Sequence, residues 1–343
     1  MRETNEFVFH LGGHTPSLFA TPGKPFTVFT EDAFGGRIHS IDAKPRELAP
    51  YPWINPLTGP IFIDDVRAGD ILAVHFLELQ PTRDWGVATT SSNFGLLSGT
   101  RVTPNIQAEH DERVWIWKFD SDRRSLTTTA SNGATLIAPF RPFHGTVGVA
   151  PAHGEVRLSV VPGEFGGNLD LPDIGPGATL YLRTNVDGGH LYVGDGHYSQ
   201  GDGEITGTGI EGAFNSTMVF GRLPYQNNFD WPRLENDSHI GVIGCARPLD
   251  DAVRIATNGL VHWVSSLTNM GILDAYQLVS QACTLRVGNV VNPAFTVLCL
   301  IPKKVLECDV RIFDEIHGRL AAKGLHKLTD SPAPSGQPGY SDI

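Results

Sequence analysis

Between Gly188 and Gly212 the chain sets His190, Asp195, His197, Gln200, Asp202, Glu204 and Glu211 among closely spaced glycines. These are acids, a base and metal-ligand types on one short stretch. Where backbone runs extended, side chains two residues apart point the same way. Asp195 and His197 then share one face, and Asp202 and Glu204 another. The glycines permit positive φ and let a ligand approach the main chain closely. A hairpin with a long Gly/Asp turn uses the same residues for a plainer purpose. A calcium loop of EF-hand type does not fit, since its Asp spacing and flanking helices are missing. Oxygen ligands for a hard cation elsewhere in the stretch stay open.

Other segments bring further polar groups. Glu31 and Asp32 end a strand-like run just before Gly35 and Gly36, where a carboxylate serves a site or caps a turn. Asn168 and Asp170 form another pair two residues apart, after Gly166 and Gly167. Gly145, Gly148, Gly166 and Gly167 expose amides suited to an anion or a developing oxyanion. Trp85 is a candidate for an apolar substrate wall, while Trp115 and Trp117 read as one core-facing strand face.

Short strands must position these groups. The 38 glycines and 24 prolines are spread along the chain, so they mark turns rather than disorder. Residues 71–80 are apolar on both faces, which predicts a central strand covered on two sides, with His75 a hydrogen-bonded core histidine. Three turn-then-strand units suggest a β-sandwich or barrel. The pattern weakens from Trp85 to Pro139, where variable loops beside the pocket are expected. After Pro248 the spacing turns helical, ending at Gly271, with a second helix from about Asp274 and a third from about Asp309 to Lys323. The fold class is mainly β with an α+β C-terminal part. The division predicted is a β-rich part over residues 1–140, Gly-rich loops with the α+β part over 141–325, and a tail over 326–343.

Composition narrows the function classes. A formal charge of −11 without a basic stripe argues against nucleic acid as a partner. No apolar run reaches a bilayer span, and the first residues lack the apolar core of a signal peptide. Cys245, Cys283, Cys299 and Cys308 show no metal-type spacing, which suits buried thiols in a reducing compartment. The reading is a soluble cytoplasmic protein without membrane contact.

The sequence resembles the acetamidase/formamidase family of amide hydrolases. The resemblance rests on E-D-A-F-G-G-R-I, A-G-D-I-L-A-V, P-F-H-G-T-V-G-V-A-P, G-G-N-L-D, G-D-G-H-Y-S-Q-G-D-G-E and D-A-Y-Q-L-V-S-Q-A-C-T-L-R-V-G-N-V-V-N-P, in that order across residues 5–305. It implies a mainly β fold, a homo-oligomer (dimer or higher), a small linear amide or γ-lactam as substrate, and a divalent metal in some members. Carried over by motif, the family's aspartate before Gly-Gly falls on Asp32, its N-x-D on Asn168 and Asp170, its G-D-x-H on Asp195 and His197, and its G-D-G-E on Asp202 and Glu204. His190 departs from that pattern.

Amide hydrolysis needs a strong nucleophile, charge stabilisation and a proton for the leaving amine. No G-x-S-x-G elbow is present and no cysteine has a nucleophile's surroundings, which shifts weight to water activated by a divalent ion. The expected ligands are His197, Asp195 and Asp32, with Asp170 in reserve and zinc as the ion. Glu204 is the expected general base, with His197 beside it at the reacting centre. Asn168, Gln200 and Trp85 are the expected substrate contacts, and the backbone near Gly166 an oxyanion aid. Two other readings stand beside this one. One is a non-enzymatic β-sandwich module that binds a carbohydrate or metal; the other is a glycosidase using Asp202 and Glu204, though catalytic pairs normally come from facing segments.

Overall fold

Along strand Ile71–Pro81 the side chains alternate between two separate cores. Leu72, Val74 and Phe76 face one, and Ile71 and Ala73 the other. The computed structural model, which describes residues 7–98, 111–306 and 310–324, explains why. This strand lies inside an eight-stranded antiparallel sheet with an eleven-stranded sheet over one face and helices over the other. A strand covered on both sides must be apolar on both.

The eight-stranded sheet runs Thr284–Asn289, Phe295–Pro302, His239–Ala246, Arg233–Glu235, Thr179–Arg183, Ile71–Pro81, Phe214–Leu223 and Phe26–Thr30. Strands from both halves of the chain alternate within it. Helix Leu249–Thr268 packs Ala252, Ala256, Leu260 and Val264 onto it, joined by Ala275 and Val279 of helix Ile272–Ala282. In the eleven-stranded sheet the order is Pro162–Gly163, Gly166–Asn168, Phe143–Gly148, Leu191–Ser199, Ile210–Glu211, Trp85–Thr90, Arg113–Phe119, Ser125–Thr129 and Thr135–Pro139. Leu57–Ile63 also pairs with Leu191–Ser199, and Leu18–Ala20 runs parallel to Leu57–Ile63.

The mainly β fold with C-terminal helices is therefore present. Two local expectations need correction. Among the described residues of 85–139 the chain forms four antiparallel strands rather than loops. Its outer hairpin buries little, with Leu126 the one fully covered residue of Ser125–Thr129, so the apolar period is faint. The last helix covers only Ile316–Ala321, because Phe313, Asp314 and Glu315 all take positive φ and cannot propagate a right-handed helix. Cys308, Asp309 and the tail at 326–343 lie outside the described residues. Among the described cysteines, Cys245, Cys283 and Cys299 are free, and burial raises the Cys245 and Cys299 thiols to about 12. No helix among the described residues is long and apolar enough to cross a membrane.

Candidate active site

Four neighbouring strands set the site's geometry: Gly166–Asn168, Phe143–Gly148, Leu191–Ser199 and Ile210–Glu211. Asp195 and His197 lie on the third, and the His197 Nε2 stands 3.3 Å from an Asp195 oxygen. Register places Glu211 directly across from His197, with its Oε2 also 3.3 Å from Nε2. From the other side comes Asp170, two residues beyond strand Gly166–Asn168. Gly145 lies on the strand between, flanked by the His144–Gly196 and Thr146–Gly194 pairs. A Cβ there would stand 2.5 Å from both Asp170 Oδ1 and Asp195 Oδ2. Only glycine lets the two carboxylates meet.

Glu204 arrives from a turn rather than a strand. Gly203 donates its N–H to the Val287 carbonyl and accepts from Val290 N–H, which ties the turn to strand Thr284–Asn289 and its sequel. The turn undoes the predicted pairing of Asp202 with Glu204. Asp202 points outward onto Arg286 at 2.6 Å, while Glu204 is buried. The side chains are not on a shared extended face, so a carboxylate pair of glycosidase type is not formed there.

Asp170, Asp195, His197, Glu204 and Glu211 are 0%, 2%, 0%, 6% and 1% exposed. Ligand atoms of Asp170, Asp195 and His197 lie within 4.8 Å of one another, as do those of His197, Glu204 and Glu211. Four buried carboxyls around one imidazole leave an excess of negative charge with little solvent to stabilise it. Their proton affinities respond. Burial, then repulsion from Asp195, raises the Asp170 carboxyl to about 8. Burial also raises Glu211 to about 7, against the pull of His197. Glu204 is pushed well above the usual carboxylate range by burial and by Asp170. For His197 burial works downward, yet Glu211 and Asp195 together outweigh it and hold the ring's pKa well above normal.

Two oxygens in this cluster, Asp170 Oδ1 and Glu211 Oε2, are buried and make no well-formed hydrogen bond, Glu211 Oε2 having only the 3.3 Å ion-pair contact with His197. Buried acceptors seldom go unsatisfied without a reason. Asp170, Asp195 and Glu204 also have positive φ, at 49°, 55° and 48°. For residues other than glycine that conformation costs roughly 1–2 kcal/mol each, and such outliers concentrate at functional sites. One imidazole with several carboxylates, two of them holding an unsatisfied oxygen, fits a divalent cation.

Of the residues singled out from sequence, Asp170, Asp195, His197 and Glu204 come together here. Asp32 does not join either ligand group. Its Oδ1 accepts the N–H groups of Phe34 and Gly36, and its Oδ2 faces Arg83 at 3.0 Å. That carboxylate closes a turn and faces a guanidinium, its Oδ2 making no hydrogen bond, and it lies apart from both groups of converging ligand atoms. Asn168 uses its Oδ1 within the protein, accepting from Asn55 at 3.2 Å and from Thr146. Gln200 bonds His197 Nδ1 and two backbone carbonyls. Trp85 sits under the Arg83 guanidinium, 4.8 Å from its ring centre, and lines a surface groove with Gln80 and Arg123. Gly166, expected as an oxyanion aid, lies in a paired strand where a Cβ would stand 2.3 Å from the Val147 carbonyl. It serves close packing of chains. His190 stays outside the cluster, beside Phe62.

Two contributors were not singled out for a role. Glu211 carried no motif signal, although it ends the same Gly-rich stretch. Asn292 donates its amide N–H to Asp170 Oδ2, and is itself held by Arg247, whose Nη2 donates to the Asn292 carbonyl at 2.7 Å. The N-P of G-N-V-V-N-P was the available clue.

Known proteins share this arrangement of chain. A profile of the Acetamidase/Formamidase family matches residues 153–220. The acetamidase structure from Yersinia enterocolitica superposes with a TM-score of 0.81 at 38% identity, covering 88% of this chain and 90% of that one. Acetamidase from Bacillus halodurans gives a TM-score of 0.77 at 30% identity, over 87% of this chain and 95% of its own. Among curated sequences, the acetamidase of Mycolicibacterium smegmatis is 24% identical over 239 residues, or 54% of this chain. That match spans 57% of the relative's own length.

Proposed function

The chain belongs to the acetamidase/formamidase family, and from that footing we propose that it hydrolyses a small linear or cyclic carboxamide to carboxylate and ammonia or amine. One observation carries the reading: four buried carboxyls converge on His197, and two of their oxygens make no well-formed hydrogen bond. His197, Asp195 and Asp170 would hold a divalent cation, zinc being our choice, with Glu211, whose Oε2 faces the same imidazole nitrogen, completing the set. When bound, the cation would polarise the amide carbonyl and lower the pKa of water to about 7.

The chain's own residues do the rest. Glu204, next to the ligand group and raised in basicity by burial, takes the proton released as water adds to the amide carbon. The same carboxyl then delivers that proton to the leaving nitrogen as the C–N bond breaks. Asn292 and Gln200 keep Asp170 and His197 in place. Burial of the whole cluster restricts bulk water around the reacting groups. A homo-oligomer in the cytoplasm is part of the same proposal.

The test is ammonia or amine release from linear and cyclic amides before and after chelation, with metal content read on the same sample. Activity lost on chelation and restored by zinc supports the reading; activity untouched by complete metal removal overturns it. Cation bound without turnover on any amide would favour a binding module instead. Glu204→Gln should lower turnover about 10²–10⁴-fold while cation content stays. Loss of the cation in that variant would make Glu204 a ligand.

A further inference from the structure

We propose that Gln200 is a positioning residue that keeps a proton on His197 Nδ1 and so commits Nε2 to the carboxylate cluster; this rests on the reading above. The Gln200 amide nitrogen lies 2.8 Å from the Asp170 carbonyl oxygen and 3.0 Å from that of Gly288. Carbonyl oxygens only accept, so the amide's donor end must face them. Its Oε1 is thereby turned to His197 Nδ1 at 2.8 Å. An amide oxygen cannot donate, so Nδ1 must carry the hydrogen. Flipping the amide would set its oxygen against two carbonyls and forfeit both donor bonds.

The ring has few alternatives. Phe143 meets it edge-on at 4.8 Å between centres, and a Cβ on Gly209 would stand 2.7 Å from Nδ1. Nothing bulkier than glycine fits on that side. Gln200 also joins segments that supply different groups: the Asp170 main chain, the His197 ring and the strand behind Glu204. A histidine ligand oriented through its second nitrogen typically loses 10–100-fold in metal affinity when that partner is removed.

Two substitutions separate this from a stitching role. Gln200→Glu keeps an acceptor for Nδ1–H and loses both donors, whereas Gln200→Met keeps the bulk and loses all three bonds. Zinc affinity is measured by competition with a chromophoric chelator. Gln200→Met should bind roughly 10–100-fold more weakly, and Gln200→Glu at least as well as the unaltered protein. Equal losses in both variants would place the role in the two donor bonds and overturn the proposal, as would unchanged binding in Gln200→Met. A second readout uses cation-free, ¹⁵N-histidine-labelled protein, with the His197 signal identified by its absence in His197→Gln. Solvent exchange of the Nδ1 proton should be slow in the unaltered protein and Gln200→Glu, and fast in Gln200→Met. Equal exchange in all three sinks the lock. If the unaltered protein takes up no cation, the hydrolase reading falls on its own, while the exchange rates still decide on Gln200.

Discussion

Gly145 has no side chain because two carboxylate oxygens occupy the space where one would be. Gly145→Ala should therefore part Asp170 from Asp195, cost roughly 1–3 kcal/mol in chemical denaturation, and abolish cation uptake. A folded Gly145→Ala protein with full cation content would show that the carboxylates need not converge. Glu211 and Asp32 offer a second comparison. Glu211→Gln removes a carboxylate oxygen that faces His197 without a well-formed hydrogen bond, and should weaken cation binding at least 10-fold by the same titration. Asp32→Asn should leave cation content in place, since Asp32 is engaged with Arg83 and the turn at Phe34 and Gly36. The reverse result would return Asp32 to the ligand set. Aspartates that cap turns and aspartates that bind metal use the same neighbours, Gly-Gly above all, so local sequence does not separate the two roles at Asp32. His197 and Asp195 were legible because alternation along a strand is a local property. Glu211 was not, because only pairing between strands sets it opposite His197.

Among the elements, the short helix Ile316–Ala321 is held to the sheet through a polar chain. His75 Nδ1 lies 2.8 Å from the Thr179 hydroxyl, which lies 2.8 Å from His317 Nδ1; Nε2 of His317 reaches Asp237 at 3.1 Å. His75 and Thr179 are direct cross-strand partners. Burial, with the charge of His317 adding and that of Asp237 opposing, lowers His75 to about 4. His144, which meets the Gly194 carbonyl and the Ser216 hydroxyl, is likewise lowered to about 4, chiefly by burial. Between pH 6.5 and 4 the unfolded chain binds a proton at each histidine and the folded chain does not. Stability from these groups is complete above pH 6.5 and is lost as pH falls to 4, on the order of 3 kcal/mol each. The buried acids Asp170 and Glu211, whose pKa values are raised, slope the other way. The readout is thus a difference: His75→Gln should lose less stability than the unaltered protein between pH 7 and 4.5 in denaturant titrations. Parallel curves would mean that His75 does not titrate in this way.

For the whole molecule, the candidate centre ties together both sheets and the turn that crosses between them. Asp195, His197 and Glu211 belong to the eleven-stranded sheet, whereas Glu204 is pinned to strand Thr284–Asn289 of the other. A cation that binds only this assembled state stabilises it by about 2.7 kcal/mol at 100 times its dissociation constant. Zinc should raise the melting temperature by a few degrees and a chelator should reverse the rise. An unchanged melting temperature in saturating cation would argue against a site built across the fold.

By itself the sequence determined what depends on near neighbours. It specified the many short strands, the two long helical segments, the apolar faces of residues 71–80 and the stretch that carries His197 with its acids. Ordered motifs also sufficed for the family. The tertiary structure decided which acids meet. It brought Glu211 opposite His197, turned Asp202 out to Arg286 and Glu204 in, kept Asp32 with Arg83, and used Gln200 to hold a ring. The reason is physical: a ligand set is defined by separations of a few ångströms among strands far apart in sequence. Those separations depend on register, on the backbone turn that follows a strand, and on which glycine leaves room, none of which is written in local spacing.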